Sequence, residues 1–369
     1  MQEFSGTDKR APAIGRALRR GCGCGIKRPR RPGIVVESTA LAMPLTARRR
    51  SRRLSTLIST AVLDCLLVPL VAVAALLLKS VRRMGLMRLK LCRHTLVAIG
   101  VLPVRHHYYE PFTTARDLRR PLEENRLLPG IDWNLAGQLA LLERLRYGHE
   151  LADIAEPPRE PATFNLYNGQ FGSGDAEFLY QLIRARKPRN VFEIGSGNST
   201  LMALRALRRN REEGAPQARH LCIEPYEAPW LERTGVTVLR QRLEAVDRTL
   251  FGELDADDLL FIDSSHVIRP QGDVLTEYLE ILPTLRPGVI VHVHDIFTPR
   301  DYPRAWVLET MRLWNEQYLL EAFLTENRAW QILAALNLLK HRHYDALERV
   351  CPFLTPEREP GSFYLQKLG

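Results

Sequence analysis

Cysteine is scarce in this chain, and its few cysteines follow no pattern. Six occur among 369 residues, and the only close pair is a C-x-C without a second pair. This spacing supports neither a zinc site nor a disulfide framework. A reducing compartment is the simplest setting for such a chain. The six are Cys22, Cys24, Cys65, Cys92, Cys222 and Cys351.

Basic residues are in deficit over the last two-thirds of the chain. Residues 1–105 hold 21 Lys and Arg and 4 Asp and Glu, whereas the remainder holds 31 basic and 38 acidic residues. The net charge of +10 therefore belongs to the first third. Because the acidic part has no basic stripe interleaved with aromatic residues, we expect no nucleic-acid partner.

Long hydrophobic runs are limited to one, at residues 57–78, with Asp64 and Pro69 inside it. At a rise of 1.5 Å per residue this length can cross a hydrocarbon core of ~30 Å. A central Asp costs roughly 2.5–3.5 kcal/mol on insertion, which the surrounding Leu and Val residues can offset. Basic residues flank the run on both sides and give no orientation. A cleaved signal peptide is disfavoured, because the leader is long and the apolar run continues past its small residues.

Apolar residues then recur at helical spacing among Arg and Lys as far as Leu91. This pattern is typical of a basic helix on an anionic membrane surface. We predict a membrane-associated helical segment over 56–105, as a single span or as a re-entrant helix followed by an interfacial one. The alternative is a hydrophobic helix packed on the following domain. Residues 1–55 are rich in Arg, Gly and Pro, which predicts a disordered basic leader, with Met43 as an alternative first residue.

Residues 106–160 are predicted as a helical linker, with one helix over 134–147. A further helix is predicted over 175–186. From 190 onward strands and helices alternate, which indicates an α/β fold with a mostly parallel sheet covered on both faces. The predicted strands are 190–194, 219–223, 236–239, 258–262, 288–293, 329–335 and 362–367, and the main later helices are 272–284 and 303–323.

A glycine-rich turn, Gly195-Ser196-Gly197-Asn198-Ser199, lies between the first strand and the following helix. Backbone can approach a ligand closely at such glycines, and free N–H groups of the first helical turn point outward. A dinucleotide site requires a third glycine, where this chain has Thr200. A turn that uses glycine for geometry alone is the other interpretation.

The pattern E-x-G-x-G-x-S from Glu193 to Ser199 resembles motif I of class I S-adenosylmethionine (AdoMet) methyltransferases. The resemblance implies a Rossmann-like seven-stranded sheet over 161–369, with its last strand antiparallel. It also implies that Glu193 approaches the amino acid part of AdoMet and that the turn lines the ribose and methionine. The AdoMet-binding residues expected on this basis are Glu193, Gly195, Ser196, Gly197, Ser199, Glu224, Glu244 and Asp263.

Two of these acids follow predicted strands. Glu224 ends the second strand, where a carboxylate can accept both ribose hydroxyls, and Glu244 matches the region that approaches the adenine. The segment before the first strand often folds over the cofactor in such enzymes, which would involve Tyr167, Asn168 and Phe171. Ordinary packing against the first helix is the alternative for these three.

The motifs FIDSSH (261–266) and HVHD (292–295) are similar to those of macrocin-type, metal-dependent sugar O-methyltransferases. By this resemblance Asp263, His294 and Asp295 would hold a divalent metal, and His266 would act as base. Magnesium prefers oxygen ligands, and His294 stands where that family has an acid. The set therefore suits manganese, iron or zinc better.

A base is needed whether or not a metal binds. A neutral alcohol is a weak nucleophile, His titrates near neutrality, and Asp can orient it, so Asp263 and His266 are the expected catalytic pair. Alternatively, Asp263 caps the following turn and the nearby histidines only pack at the sheet end. Tyr302 and Trp306 are expected to line the acceptor pocket, and the other aromatic residues of 297–323 to be core.

The sequence thus predicts an AdoMet-dependent methyltransferase that O-methylates a hydroxylated small molecule, sugar or glycolipid at a membrane surface. Its catalytic domain is expected in the cytoplasm. An NAD(P)-dependent oxidoreductase and a non-catalytic AdoMet-binding module are the alternatives.

Overall fold

The computed structural model describes residues 45–156 and 162–369, with side chains from residue 60 onward. The chain divides into two compact units, one ending at Lys90 and the other running Leu91–Gly369. The predicted leader lies outside the described residues as far as residue 44. Its last part, from Leu45, is helical.

The first unit is a helix, α1, Leu45–Met84. Its Thr60–Met84 portion is long and apolar enough to cross a membrane by length and composition. The most apolar 18-residue window in this portion has a mean hydropathy of 2.7 and is not buried. Pro69 lies within the helix without ending it. Helix α2, Lys90–Ile99, buries no residue. The predicted helical segment is present, and membrane association remains a prediction.

The second unit is built on a seven-stranded sheet in the order β3-β2-β1-β4-β5-β7-β6. Strand β7 is antiparallel to both β5 and β6, and the other pairs are parallel. The predicted fold class is thereby confirmed. The strands are β1 Asn190–Ile194, β2 Arg219–Ile223, β3 Thr237–Leu239, β4 Leu259–Ile262, β5 Ile290–Val293, β6 Trp330–Ala335 and β7 Phe363–Lys367.

Both faces of this sheet are buried, as a mostly parallel sheet requires. Leu259 and Phe261 of β4 pack in the core on one face, and Leu260 and Ile262 pack in the core on the other. The helices of the second unit after α2 are α3 Leu135–Arg144, α4 Asp175–Arg186, α5 Asn198–Glu212, α6 Asp273–Thr276, α7 Glu316–Leu324, α8 Leu336–Arg342 and α9 Tyr344–Val350.

The continuous helix predicted over 303–323 is wrong. A π-helical turn, Ala305–Glu309, is followed by non-helical chain, and α7 begins only at Glu316. The N–H groups of Asn315 and Glu316 donate to the carbonyl of His266 in the loop after β4. These amides therefore fasten the segment to that loop instead of extending a helix.

The structure also differs from the predicted linker over 106–160. Leu141 and Leu142 of α3, and Leu151 of the 3₁₀ turn Gly148–Leu151, are buried in the core beside the sheet. Arg126 pairs with Glu321 of α7. Because these side chains complete the core, the segment is part of the second unit.

Backbone hydrogen bonds align the strand ends that form the site. The N–H of Gly195 donates to Ile223 of β2, that of Asp263 donates to Ile194 of β1, and that of His294 donates to Ile262 of β4. The residues following β1, β2, β4 and β5 therefore meet at one edge of the sheet, where ligands bind in open α/β folds.

Candidate active site

A cavity of about 820 Å³ opens at this edge of the sheet. Its volume falls in the range of small-molecule sites. The glycine turn lies at one end, and the loops after β4 and β5 lie at the other. Among the lining residues are Phe171, Gly195, Ser196, Gly197, Ser199, Glu224, Glu244, Asp263, His266, His294, Asp295, Trp306, Arg312 and Trp314.

The glycine turn requires a residue without Cβ at its first position. Gly195 has φ +77°, and a Cβ built there would lie 1.9 Å from the carbonyl oxygen of Asp263. The hydroxyl of Thr200, at the missing third-glycine position, accepts from the N–H of Gly197 at 3.1 Å. Ser196 Oγ is buried without a partner among the described residues. This hydroxyl lies next to the Cys222 thiol and has no hydrogen bond of ordinary geometry.

Glu193 is held behind the turn and does not line the cavity. Its Oε2 accepts from Ser199 Oγ at 3.1 Å and from Thr200 Oγ1 at 2.9 Å. Its other oxygen pairs with His220. The Glu193 carboxylate, which was expected to approach AdoMet, instead bonds to the last residue of the glycine turn, to the residue after it and to β2.

Glu224 is buried against the turn and faces the cavity. Its Oε1 accepts from the N–H groups of Tyr226 and Glu227 at 2.9 and 2.8 Å, and its Oε2 from that of Ser196 at 3.3 Å. A carboxylate oxygen has two lone pairs, so Oε2 can accept one further hydrogen bond. Glu244 lines the cavity too, 3.4 Å from the guanidinium of Arg269.

Only one of the three residues expected to fold over the cofactor lines the cavity. Phe171 does, with its ring 5.2 Å from that of His294. Tyr167 is exposed. The Asn168 side chain accepts from the N–H groups of Gln170 and Phe171, so it shapes the turn.

The other end of the cavity holds a histidine among carboxylates. His266 Nε2 lies 3.1 Å from Asp263 Oδ1 and 3.8 Å from Asp295 Oδ2. His266 Nδ1 lies 2.8 Å from Glu316 Oε2. His266 and Asp295 have φ of 59° and 57°, which is strained for residues with a Cβ. Such strain is typical of functional sites.

These contacts set the charge of the pair. Burial lowers the pKa of His266, but the hydrogen bonds and charges of Asp263 and Glu316 raise it well above its ordinary value. Burial raises the pKa of Asp263, but the charge of His294 and the hydrogen bond of His266 bring it to about 2. The pair is therefore a carboxylate and an imidazolium at neutral pH, and a cation bound at Asp263 would favour the neutral imidazole.

The residues whose ligand atoms converge differ from the expected metal set. Asp263, His266 and Asp295 each offer one atom within 4.8 Å of the others. His294 is outside this group, with its Nε2 3.6 Å from Asp295 Oδ1 and its ring against Phe171. Two carboxylates and an imidazole suit manganese, iron or zinc.

The outer wall of the cavity comes from the non-helical stretch before α7. The guanidinium of Arg312 rests against the indoles of Trp306 and Trp314, which meet edge to face with their centres 5.1 Å apart. The centre of the Trp314 ring lies 4.2 Å from that of His266. Trp306 lines the cavity as expected, whereas Tyr302 is buried outside it. Sequence reasoning placed Trp314 in the core and missed Arg312, because both assignments depend on where the helix ends.

Comparison with known proteins shows a match to one protein family. Residues 192–296 match the family model described as a methyltransferase domain. The chain carries a class I methyltransferase domain. The matched residues contain the glycine turn, Glu224, Asp263, His266 and Asp295, so the match covers both ends of the cavity. The match supports a methyltransferase enzyme over an NAD(P)-dependent oxidoreductase or a non-catalytic binding module.

The individual proteins that resemble this methyltransferase have low sequence identity to it. An uncharacterised protein of Archaeoglobus fulgidus is 29% identical over 163 residues, which cover 40% of this chain and 72% of that protein. An O-methyltransferase from Bacillus cereus, crystallised with SAH, is 14% identical with a TM-score of 0.34, over 62% of this chain and 100% of that one. A TDP-rhamnose 3′-O-methyltransferase of calicheamicin biosynthesis is also 14% identical, with a TM-score of 0.33 over 65% of this chain and 89% of that one.

Proposed function

We propose that this methyltransferase transfers the methyl group of AdoMet to a hydroxyl of a small molecule, sugar or glycolipid at a membrane surface. The observation that carries the proposal is the Asp263–His266 pair, which shares one cavity with the glycine turn. A methyl donor at the turn and a hydroxyl acceptor at the pair would then face each other. The catalytic domain is proposed to lie in the cytoplasm.

The turn end of the cavity fits the donor. The free acceptor position on Glu224 Oε2 suits a ribose hydroxyl, and Ser196 Oγ is an unused partner beside it. Glu244, which also lines the cavity, would approach the adenine. Glu193 and Ser199 would contribute by holding the turn, since their side chains bond to each other.

The other end fits an acceptor hydroxyl. With a cation at Asp263 to favour its neutral form, His266 would accept the hydroxyl proton at Nε2, while Glu316 holds the ring at Nδ1. A divalent metal would be held by Asp263 and Asp295, with His294 beside Asp295. His266 Nε2 converges on the same point, but as the base it would stay outside the ligand set, because a metal-bound nitrogen has no lone pair left for the proton. When bound, such an ion would polarise the hydroxyl and lower its pKa.

Helix α1 supports the membrane part of the proposal. Its Thr60–Met84 portion spans about 37 Å at 1.5 Å per residue, enough for a hydrocarbon core. Its large apolar side chains, such as Leu66, Leu70 and Leu76, are exposed. Exposed apolar residues along a helix of this length are what a lipid environment stabilises.

Calorimetry tests whether AdoMet binds at the turn end of the cavity. Wild-type full-length protein in detergent is expected to bind AdoMet, and E224A about tenfold to a hundredfold more weakly, because hydrogen bonds to a charged group contribute about 1.5–3 kcal/mol each. E232A removes a carboxylate that pairs with Arg240 outside the cavity, and it should bind like wild type. No heat from a folded wild-type protein, shown by a cooperative thermal transition, would refute the proposal.

A further inference from the structure

Arg312 is a cation of the cavity wall that forms no salt bridge with a described carboxylate, although its charge acts on that of Asp295. The guanidinium carbon of Arg312 lies 4.1 Å from the ring centre of Trp306 and 4.3 Å from that of Trp314. Among the described residues, the Arg312 side chain has these two rings as its direct contacts and no hydrogen bond or ion pair. The residue lines the cavity and is exposed to it.

The other two arginines that line the cavity are already engaged. Arg242 Nε donates to Tyr226 Oη at 2.5 Å. Arg269 pairs with Glu244 at 3.4 Å and with Asp273 at 3.5 Å. Arg242 thus keeps one donor on a phenol and Arg269 is paired with carboxylates, whereas none of the Arg312 donors has a hydrogen bond among the described residues.

The two indoles make Arg312 a prepared anion receptor. The two rings, with centres 5.1 Å apart and planes at 78°, lie on adjacent sides of the guanidinium. They contribute cation–π attraction and restrain the side chain, while the donor edge of the guanidinium has no hydrogen bond among the described residues. Such an edge matches the two oxygens of a carboxylate or phosphate. Because the side chain is already restrained, less rotamer freedom is lost when the anion binds.

The position of Arg312 relates this receptor to the reacting groups. Trp314 contacts Arg312 on one side and the His266 ring, at 4.2 Å, on the other. An anion bound to Arg312 would thus lie one indole away from His266. Asp263 and Asp295 would repel an anion nearer to them, so the unpaired guanidinium specifies where the negative group must lie.

We propose that Arg312 binds an oxyanion of the acceptor, so that the acceptor is a hydroxylated molecule carrying a phosphate or carboxylate group. The identification of this ligand as the acceptor rests on the proposed function. The binding of an oxyanion at Arg312 does not, because it depends only on the Trp306–Arg312–Trp314 arrangement.

Tryptophan fluorescence tests the receptor directly. Full-length protein in detergent, saturated with S-adenosylhomocysteine and kept in EDTA, is titrated with glycerol 3-phosphate, glycerate or glycerol at constant ionic strength. We expect a saturable change with one or both anions and none with glycerol. Response to the phosphate alone or to glycerate alone identifies which oxyanion the site takes. The change should be lost in W314F, which removes one of the two indoles.

Variants of Arg312 decide whether the guanidinium is responsible. R312Q should bind the anion at least about tenfold more weakly, since it loses charge-assisted hydrogen bonds. R312K should be weaker than wild type, because an ammonium lacks the planar donor edge. K367Q removes a comparable cation 5.1 Å from the ring of Trp330, outside the cavity, and should behave like wild type.

Three results would overturn the inference: an equal response to glycerol, no response to either anion, or wild-type anion affinity in both Arg312 variants. R312K decides alone if R312Q does not fold. AdoMet calorimetry separates this failure from that of the proposed function. Donor binding without anion binding refutes only the inference, and anion binding without donor binding refutes only the proposed function.

Discussion

At the scale of single residues, His266 is fixed from both ring nitrogens. Asp263 contacts Nε2 and Glu316 contacts Nδ1. The sequence predicted the first contact, because Asp263 and His266 are three residues apart after a strand. It could not predict the second, since Glu316 is fifty residues further along the chain. The same limit applies to Arg312, whose position depends on a helix break that its own side chain does not signal.

Removing this imidazole tests the proposed base. H266A is expected to reduce the turnover number for methyl transfer by about 10²–10⁴-fold, the usual contribution of a positioned base. Its AdoMet dissociation constant should stay near that of wild type, because Glu224 and the turn are untouched. Transfer of labelled methyl from AdoMet to fractionated cell extract, with calorimetry in parallel, measures both quantities.

H149A is a suitable control, since His149 is exposed and lies outside the cavity. Unchanged turnover in H266A would contradict the role of His266 as base. It would not affect the proposal that AdoMet binds at the glycine turn. Loss of turnover on adding EDTA, restored by manganese, would indicate that the converging carboxylates hold a metal.

At the scale of elements, strands were easier to predict than helices. The runs 191–194, apolar except for Glu193, and Leu259–Ile262 each end at a polar turn, so their bounds follow from local sequence. The segment 303–323 has apolar residues at helical spacing, but its amides at Asn315 and Glu316 bond to the distant loop at His266. Tertiary hydrogen bonds therefore determine where α7 begins, and the periodicity of apolar residues in the sequence gives no sign of them.

A buried ion pair joins α4 to the turn Gly148–Leu151. Arg184 is 1% exposed, and it bonds to Glu150 at 2.8 and 3.0 Å and to Glu213 at 2.7 Å. E150Q leaves part of this buried charge uncompensated, which should lower the free energy of unfolding by about 2 kcal/mol. Urea unfolding at neutral pH measures the change, and E212Q, which alters an exposed pair with Arg209, should have almost no effect.

The same pair has a predictable dependence on pH. The hydrogen bond from Arg184 holds the pKa of Glu150 below its ordinary value of 4.5. A lowered carboxyl pKa means that the stabilisation is complete above this ordinary value and is lost as pH falls below it. The difference between wild type and E150Q should therefore shrink in acid, and a constant difference would argue against an ionic contribution.

At the scale of the whole molecule, the charge distribution indicated that the chain has two parts, but it did not locate the residue at which they meet. The charge reversal near residue 105 separated a basic first third from an acidic remainder. The second unit, however, begins at Leu91, and residues from Leu122 onward contribute to its core. Leucines at helical spacing in α3 fit a linker helix and a core helix equally well, so only the fold distinguishes them.

Carbonate extraction tests the membrane role of α1. The full-length protein is expected to stay with the membrane pellet, because a spanning helix resists alkaline washing. A version beginning at Leu91 should appear in the supernatant, which attributes retention to the first unit. Release of the full-length protein would exclude a span and leave, at most, a helix lying on the surface.

The contact between Gly195 and Asp263 has a consequence for how acceptor preference can change. Main chain meets main chain there, with no room for a side chain between the two loops. If the proposed function holds, this backbone contact sets the distance between the methyl donor at the turn and the acceptor hydroxyl at Asp263, and side-chain substitution would change it little. A different acceptor would then be accommodated by the residues that precede α7, which line the cavity and belong to no strand of the sheet.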